Sequence, residues 1–370
     1  MDARSEILTQ PVSSGTGSVG RPPRMVGLDV ARALAIVGMV IVHFRQPPGE
    51  TPSSWLEYVQ ALPNGRASLL FVLLAGVGLT LLAGDRDRQR WQRATPFIAV
   101  RVVVLLPLGL GLELAGVPPL VILQYYAVLF VLATPACLWG DRALLLAAGA
   151  LAIAGPVAYL LMSQAEPSWF VRADPAVLGD PPRVVARELL FTGSYPAMVW
   201  LAPMLLGIWL GRQDLRAPRV RTRMFLAGGA VAILAAVGGA WLPDDGWWRL
   251  ADARPHSQMF LWLVGGTGSA VAMLAVCLIL ADQLGRVLAP LGALGQLALT
   301  VYVGHLLLLL AWQETFTPAE VGPALLRVVI FACLAAGFAV LWRCWFAYGP
   351  LEALLHAAGD RLGRLQRRLG

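Results

Sequence analysis

Long apolar stretches, separated by short polar ones, run along almost the whole chain. Each is close to the ~20 residues that an α-helix needs to cross a bilayer. The pattern predicts spanning helices over 25–44, 66–84, 97–115, 119–139, 142–164, 196–211, 224–243, 259–281, 288–312 and 322–346, of which the sixth is the shortest. The predicted fold class is therefore all-α, a polytopic membrane helix bundle of about ten transmembrane helices.

The two ends of the chain have a different pattern from the apolar part. Residues 1–24 are rich in Ser, Gly and Pro without an apolar core, which predicts a disordered cytoplasmic arm. In the last residues, PLEALLHAAGDRLGRLQRRLG, apolar positions recur at helical spacing and arginines gather at the end. We therefore predict a basic amphipathic cytoplasmic tail over 347–370, lying along the membrane surface, after a transmembrane domain over 25–346.

Charge placement predicts the topology. The 370 residues are 58% hydrophobic and 14% charged, whereas soluble domains average roughly 25% charged residues. All 29 basic residues are arginine, and they are densest in GDRDRQRWQR, in GRQDLRAPRVRTR and in the tail. With ten spans these segments share one side, which the positive-inside rule makes cytoplasmic. Both termini are then cytoplasmic in a multi-pass cell-membrane protein, and the net charge of +7 reflects topology rather than affinity for nucleic acid.

The opposite loops, over 45–65, 165–195 and 244–258, are longer and hold Pro, Trp, Asp and Glu. Long loops on one face commonly carry recognition, so we expect the outer face to handle a polar partner. The cysteines, Cys137, Cys277, Cys333 and Cys344, show no paired spacing. No metal site or redox pair is therefore expected.

The first predicted span carries three polar residues at membrane depth, where each is costly. Asp29 and Arg32 are three positions apart and so are neighbours on one helical face. His43 follows Arg32 by 11 positions, about 16 Å of rise, and returns close to the same face. One stripe thus holds an ion pair near the cytoplasmic end and an imidazole near the outer end. The structural alternative is that Arg32 reaches lipid headgroups, Asp29 interacts with the helix amino terminus and His43 anchors the interface.

The segment RMVGLDVARALAIVGMVIVHF resembles the opening helix of the heparan-alpha-glucosaminide N-acetyltransferase catalytic-domain family. The likeness extends through NGRASLLFVLLAGVGLTLL, VILQYYAVLFVLATP, FTGSYPAMVWLAPMLLGIWLGRQDL, RPHSQMFLWLVGGTGSAVAMLAVCL and APLGALGQLALTVYVGHLLLLL. Arg32 and His43 also match the Arg, ten residues, His pattern of the related acyltransferase-3 membrane enzymes. The resemblance implies an acyltransferase that moves an acetyl group from cytoplasmic acetyl-CoA to a sugar or glycoconjugate outside.

One feature departs from the family. A lysosomal member places a histidine in the loop after the first helix, and the loop here, RQPPGETPSSWLEYVQALPNG, contains none. His43 is then the residue that can take this role, as in the acyltransferase-3 pattern.

If the chain catalyses the acetyl transfer that the resemblance implies, the polar residues near the predicted helices fall into three groups. The predicted catalytic residues are His43, Asp29, His305 and Tyr302. The predicted donor-binding residues are Arg32, Arg66, Tyr125 and Tyr126. The predicted acceptor-binding residues are His256, Ser257 and Tyr195, and Glu113 is a candidate second base. Structural hydrogen bonding for His305 and headgroup contact for Arg66 and Arg101 stay open as alternatives.

The chemistry follows from what acyl transfer needs, because a thioester is already activated. A neutral His43 would take the proton of a sugar hydroxyl or amine, and Arg32 would hold the phosphates or pantetheine end of CoA. Hydroxyl groups of the eighth and ninth spans would support the tetrahedral intermediate. Direct transfer and an acetyl-imidazole intermediate are both compatible with the sequence, as are N- and O-acylation.

Functions of other classes stand beside this one. A transporter or flippase for a lipid-linked or polar envelope metabolite would show broken helices in matched halves, and we see no matched pairing. A sensor or scaffold would leave the stripe of the first span unexplained. The expected partners are acyl-CoA, the acceptor and the bilayer, not nucleic acid, with a homodimer left open.

Overall fold

A computed structural model describes residues 24–44, 54–170, 175–243, 245–318 and 320–369. The regular secondary structure of these residues is entirely helical, which confirms the predicted fold class. Except for Arg24, the predicted amino-terminal arm lies outside the described residues.

The helices of the described residues have the following bounds. In chain order they are α1 (Val26–His43), α2 (Trp55–Ala61), α3 (Arg66–Ala83), α4 (Arg88–Leu114), α5 (Leu123–Ala133), α6 (Asp141–Ala165), α7 (Pro182–Arg187), α8 (Ala197–Leu210), α9 (Pro218–Trp241), α10 (Phe260–Leu284), α11 (Ala289–Gln296), α12 (Ala298–Phe316), α13 (Val321–Trp345) and α14 (Pro350–Leu369). A 3₁₀ turn, Thr134–Leu138, extends α5, and a π-helical turn, Glu188–Thr192, extends α7.

Each predicted span coincides with a helix or a helix pair of the structure. Eight helical segments in the described residues are long and apolar enough to cross a membrane alone, and the protein is a multi-pass membrane protein. The fourth predicted span corresponds to the shorter apolar helix Leu123–Leu138. The sixth reaches spanning length only when α8 is joined to Pro182–Thr192, with a bend of 59° between them.

The ninth predicted span is two helices rather than one. Leu297 has φ −104° and ψ 31°, which interrupts the helix between α11 and α12. Just before this break Gly295 lies against the backbone of Asp29, and a Cβ at position 295 would collide with the Asp29 carbonyl oxygen. Glycine therefore allows α11 to approach α1 closely, and α12 starts with a new amino terminus.

The first and third helices form the centre of the bundle. In α1, 61% of the residues are buried. In the most apolar 18-residue stretches of α9 and α13 the buried share is 17%, so these two helices lie at the periphery. Helix α3 runs antiparallel to α1, since Gly38 lies against Ala67 at one end of the pair and Gly78 lies near Arg32 at the other. We call the end of the bundle that holds Arg32 the inner end and the end that holds His43 the outer end.

The carboxyl-terminal tail forms helix α14 and packs at the inner end. Its Gly359 lies against Phe97 of α4. The Glu352 carboxylate accepts hydrogen bonds from the backbone N–H groups of Leu299 (2.7 Å) and Thr300 (3.1 Å) and from the Thr300 hydroxyl (2.6 Å). A side chain of α14 thus satisfies backbone donors in the first turn of α12, which otherwise lack intrahelical partners.

Replacing Glu352 with alanine is expected to loosen both helices. The change leaves two backbone donors of α12 without their partner, which costs about 1–3 kcal/mol. In detergent, the melting temperature should fall and amide hydrogen exchange should rise in the first turn of α12. Glu314→Ala, an exposed change on the same helix, is the matched control. Equal exchange in the two variants would contradict the capping role.

Candidate active site

Two histidines from distant parts of the chain meet inside the bundle. His43 ends α1 and His305 lies on α12, and their rings stack with centroids 5.3 Å apart and planes 14° from parallel. Nδ1 of His43 lies 3.0 Å from Nε2 of His305. One of these nitrogens must donate and the other accept, so the two tautomers are coupled.

Tyr302 continues this row of side chains toward the inner end. Its ring packs edge-on against His305, with centroids 5.0 Å apart. Its hydroxyl accepts a hydrogen bond from the backbone N–H of Ile122, at 3.2 Å. The segment that leads into α5 therefore holds Tyr302 in place, and Tyr302 in turn supports His305.

A cavity of about 390 Å³ opens on the inner side of this row. Its walls are mostly apolar, and its polar lining includes Arg32, Arg101, Tyr126, Gln296 and Tyr302. Helix α14 and the residues before it supply part of the wall through Tyr348, Glu352 and His356. A volume of this size lies within the usual range for small-molecule sites.

The arginines of this inner cavity differ in their partners. Arg32 donates to Asp29 at 2.6 Å, and Arg24 reaches the same carboxylate at 3.3 Å. Among the described residues, Arg101 has no ion-pair partner. The Gln296 side-chain oxygen is likewise buried without a hydrogen bond. The inner cavity thus offers an uncompensated cation and a free acceptor to whatever enters it.

A second cavity, of about 550 Å³, lies on the outer side and is lined by His43, Tyr195, His256, Arg187 and Glu188, among others. The buried Glu188 carboxylate accepts hydrogen bonds from the Tyr125 hydroxyl (2.9 Å) and from the backbone N–H of Ala176 (2.6 Å). The protein itself therefore supplies hydrogen-bond donors to the Glu188 carboxylate.

His256 sits in an aromatic cage at the edge of the outer cavity. The ring centroid of His256 lies 5.4 Å from that of Tyr195, 6.2 Å from that of Trp200 and 5.8 Å from that of Trp262. Burial in this cage lowers the pKa of His256 to about 4. Its backbone and that of Gln258 are left-handed, with φ of 60° and 63°. Gln258 holds the loop by accepting from the Trp200 indole at 2.8 Å and donating to the Ser194 carbonyl at 2.9 Å.

The row of Tyr302, His305 and His43 separates the two cavities. Tyr302 lines the inner cavity, His43 lines the outer one, and the fully buried His305 touches both residues. In the described part of the chain, the two linings share no residue. This row is therefore one direct connection between the two cavities.

The structure brings some of the predicted site residues together. His43, His305 and Tyr302 form the central row, while Arg32 and Tyr126 line the inner cavity. Tyr195 and His256 line the outer cavity.

Other predicted residues lie elsewhere. Asp29 is 14 positions from His43, roughly 21 Å along the helix, and is engaged by two arginines. Arg66 is exposed at the outer end, away from the inner cavity, and donates to the Leu62 carbonyl. Tyr125 contacts Glu188 on the outer side, although its neighbour Tyr126 faces inward. The Ser257 hydroxyl donates to the Asp252 carbonyl within its own turn.

Several polar residues of the site were not predicted from the sequence. Arg101 was interpreted as a headgroup or topology residue, and Arg187, Glu188 and Gln258 were placed in outer loops without a role. A charged pair just before the apolar stretch LLFTG was the signal that could have drawn attention to Arg187 and Glu188. Gln258 had no comparable signal, because its role depends on Trp200, 58 positions away.

The described helices form a polytopic membrane bundle whose polar centre lies between two cavities. The family model "Heparan-alpha-glucosaminide N-acetyltransferase, catalytic" matches residues 24–243, more than half of the chain. The chain belongs to this family and is a membrane acetyltransferase. A second family model, "Protein of unknown function (DUF418)", matches residues 209–360. A comparison with curated proteins found no match.

Stability should fall in mildly acidic solution because of His256. The folded-state pKa of about 4 lies below the usual value of 6.5, so the unfolded state binds more protons between these values. Stability from the neutral imidazole is therefore present above pH 6.5 and is lost as the pH falls toward 4. Melting temperatures of wild type and His256→Gln between pH 7 and 4.5 test this. Parallel curves would contradict it, because the variant has no imidazole to protonate.

Proposed function

We propose that the protein moves an acetyl group from acetyl-CoA in the inner cavity to a sugar or glycoconjugate acceptor in the outer cavity. The observation that carries the proposal is the contact between His43 and His305, which joins the two cavities through one row of side chains. Family membership supports the reaction class, and the two separate linings support different sides for donor and acceptor.

The inner end is assigned to the cytoplasm. The arginine-rich segments after α3 and α8 converge there, where the buried Arg212 contacts both Asp85 (3.0 Å) and Asp141 (2.8 Å). The tail helix lies at the same end. By the positive-inside rule we assign both termini to the cytoplasm, and the proposal keeps the cell membrane that the sequence analysis predicts. Cytoplasmic acetyl-CoA then reaches the inner cavity without crossing the bilayer.

The donor is held by groups that the protein leaves uncompensated. Arg101 supplies a cation for a CoA phosphate, and the Gln296 oxygen accepts from an amide N–H of the pantetheine arm. Arg32 assists, with its guanidinium oriented by Asp29. In this assignment Asp29 is a positioning residue and not a proton carrier.

The histidine pair supplies the proton chemistry. When His43 donates through Nδ1 to His305, its Nε2 carries a lone pair that can take a proton from an acceptor in the outer cavity. The acceptor oxygen or nitrogen then bonds to the acetyl carbonyl carbon, the carbon–sulfur bond breaks, and the proton held by His43 passes to the CoA thiolate, which restores the neutral imidazole. His305 orients the base, the role that a carboxylate has in a catalytic triad.

Two routes carry the acetyl group past the row. In the direct route the thioester and the acceptor meet at His43. In the relay, an imidazole nitrogen of the pair first takes the acetyl group from sulfur and then passes it to the acceptor. Mass spectrometry of protein quenched after mixing with acetyl-CoA alone distinguishes them, since only the relay adds one acetyl group to the chain. The same preparation distinguishes N- from O-transfer and tests whether the protein is a homodimer.

The histidines are expected to act as a unit. His43→Ala should lower the rate of acetyl transfer by roughly 10²–10⁴-fold, since it removes the base, while acetyl-CoA binding stays near wild type. His305→Gln should lower the rate less, and adding it to His43→Ala should cause little further loss. CoA release with a panel of sugar acceptors measures the rates, and the exposed Gln313→Ala on α12 is the control. Independent, additive losses would contradict the shared role.

Arg101 is expected to bind the donor. Arg101→Ala should weaken CoA binding by roughly tenfold or more, because it removes a charge-assisted hydrogen bond to a phosphate. Calorimetry with CoA measures the effect. Arg93→Ala, an exposed change on the same helix, controls for the general loss of positive charge. If the two variants bind CoA equally well, the phosphate lies elsewhere.

A further inference from the structure

Arg187, the last residue of α7, has a role in the outer cavity that the proposed reaction does not use. The central carbon of its guanidinium lies 5.4 Å from the ring centre of Trp169, and both residues line the cavity. Its Nε atom is buried and has no hydrogen-bond partner. A buried guanidinium nitrogen without an acceptor costs free energy unless a ligand supplies one.

The carboxylate of Glu188, the next residue, does not accept a hydrogen bond from the Nε atom of Arg187. Arg187 and Glu188 are the charged side chains among the described residues that line the outer cavity. Glu188 accepts hydrogen bonds from Tyr125 and Ala176, on the wall of the cavity. The stacking on Trp169 fixes one face of the guanidinium and leaves in-plane donors available. The cavity therefore presents a guanidinium donor for which the described residues supply no acceptor.

The same part of the cavity carries flat apolar surfaces. Tyr159 and Phe170 also line it, and their rings pack edge-to-face with centroids 5.0 Å apart. Aromatic faces carry partial negative charge, which suits the C–H faces of a sugar ring. A guanidinium beside such surfaces matches a ligand that combines a ring with an oxyanion.

We infer that the acceptor is an anionic sugar or glycoconjugate, whose carboxylate or phosphate binds Arg187 while its reacting hydroxyl or amine faces His43. This inference rests on the proposed function, since it names the chemical class that the outer cavity receives. Trp169 holds the guanidinium, and the oxyanion supplies the acceptor that the buried Nε lacks. Arg187 is thus a specificity-determining residue rather than a catalytic one.

The experiment compares matched charged and neutral sugars. Purified protein in detergent is titrated with glucosamine 6-phosphate against glucosamine, and with galacturonic acid against galactose, by calorimetry. CoA release from acetyl-CoA is followed with the same four sugars. The variants are Arg187→Gln and Arg187→Lys, and the control is Arg183→Gln, an exposed change on the same short helix.

Wild type and the control should bind at least one charged sugar about tenfold more tightly than its neutral partner. Arg187→Gln should abolish this preference, and Arg187→Lys should retain part of it. Where a sugar is acetylated, Arg187→Gln should raise KM and leave kcat nearly unchanged. A preference in one pair alone assigns the oxyanion to a phosphate or to a carboxylate.

The two proposals fail in different ways. Equal binding of charged and neutral sugars in both pairs overturns the inference, whether or not acetyl-CoA is turned over. The inference is also overturned if Arg187→Gln keeps the charge preference. If the preference depends on Arg187 but none of the four sugars, nor any other acceptor tried, releases CoA, the proposed acetyl transfer fails and the anion site stands.

Discussion

The contact between His43 and His305 is the constraint on which the rest of the arrangement depends. Polar groups at membrane depth must find partners inside the protein, because lipid offers none. His305 meets the end of α1 from α12, which begins after a break at Leu297, and α11 before this break lies close to Asp29. The new amino terminus of α12 then needs a cap, which Glu352 supplies from α14.

Each cavity contains an arginine that the described residues leave incompletely paired. In the inner cavity Arg24 and Arg32 are paired with Asp29, while Arg101 is not paired with any described residue. In the outer cavity the carboxylate of Glu188 is hydrogen-bonded, while the Nε of Arg187 is not. Both cavities therefore have unused donors, although they are lined by different helices. This shared feature favours anionic ligands on both sides of the histidine row.

The sequence predicted what depends on local pattern and missed what depends on distant contacts. Apolar run lengths were sufficient to locate the apolar helices, eight of which in the described residues are long enough to span alone, and spacing within α1 placed Asp29 and Arg32 together. Helical periodicity could not tell which of Tyr125 and Tyr126 faces the inner cavity, because α5 is surrounded by protein on several sides. Glu352 is more than 50 positions from Thr300, so no local signal marks it as a cap.

The geometry of the first helix restricts the kind of donor. Arg32 and His43 are separated by 11 positions, about 16 Å along α1. A donor that contacts the arginines and also delivers its acyl group to the histidine row must hold its charged and reactive ends a comparable distance apart. In acetyl-CoA the pantetheine arm separates the phosphates from the thioester, whereas in an acyl phosphate the two ends are adjacent. The mostly apolar wall between Arg101 and Tyr302 suits such an arm, so the spacing favours a CoA thioester over a small activated acyl compound.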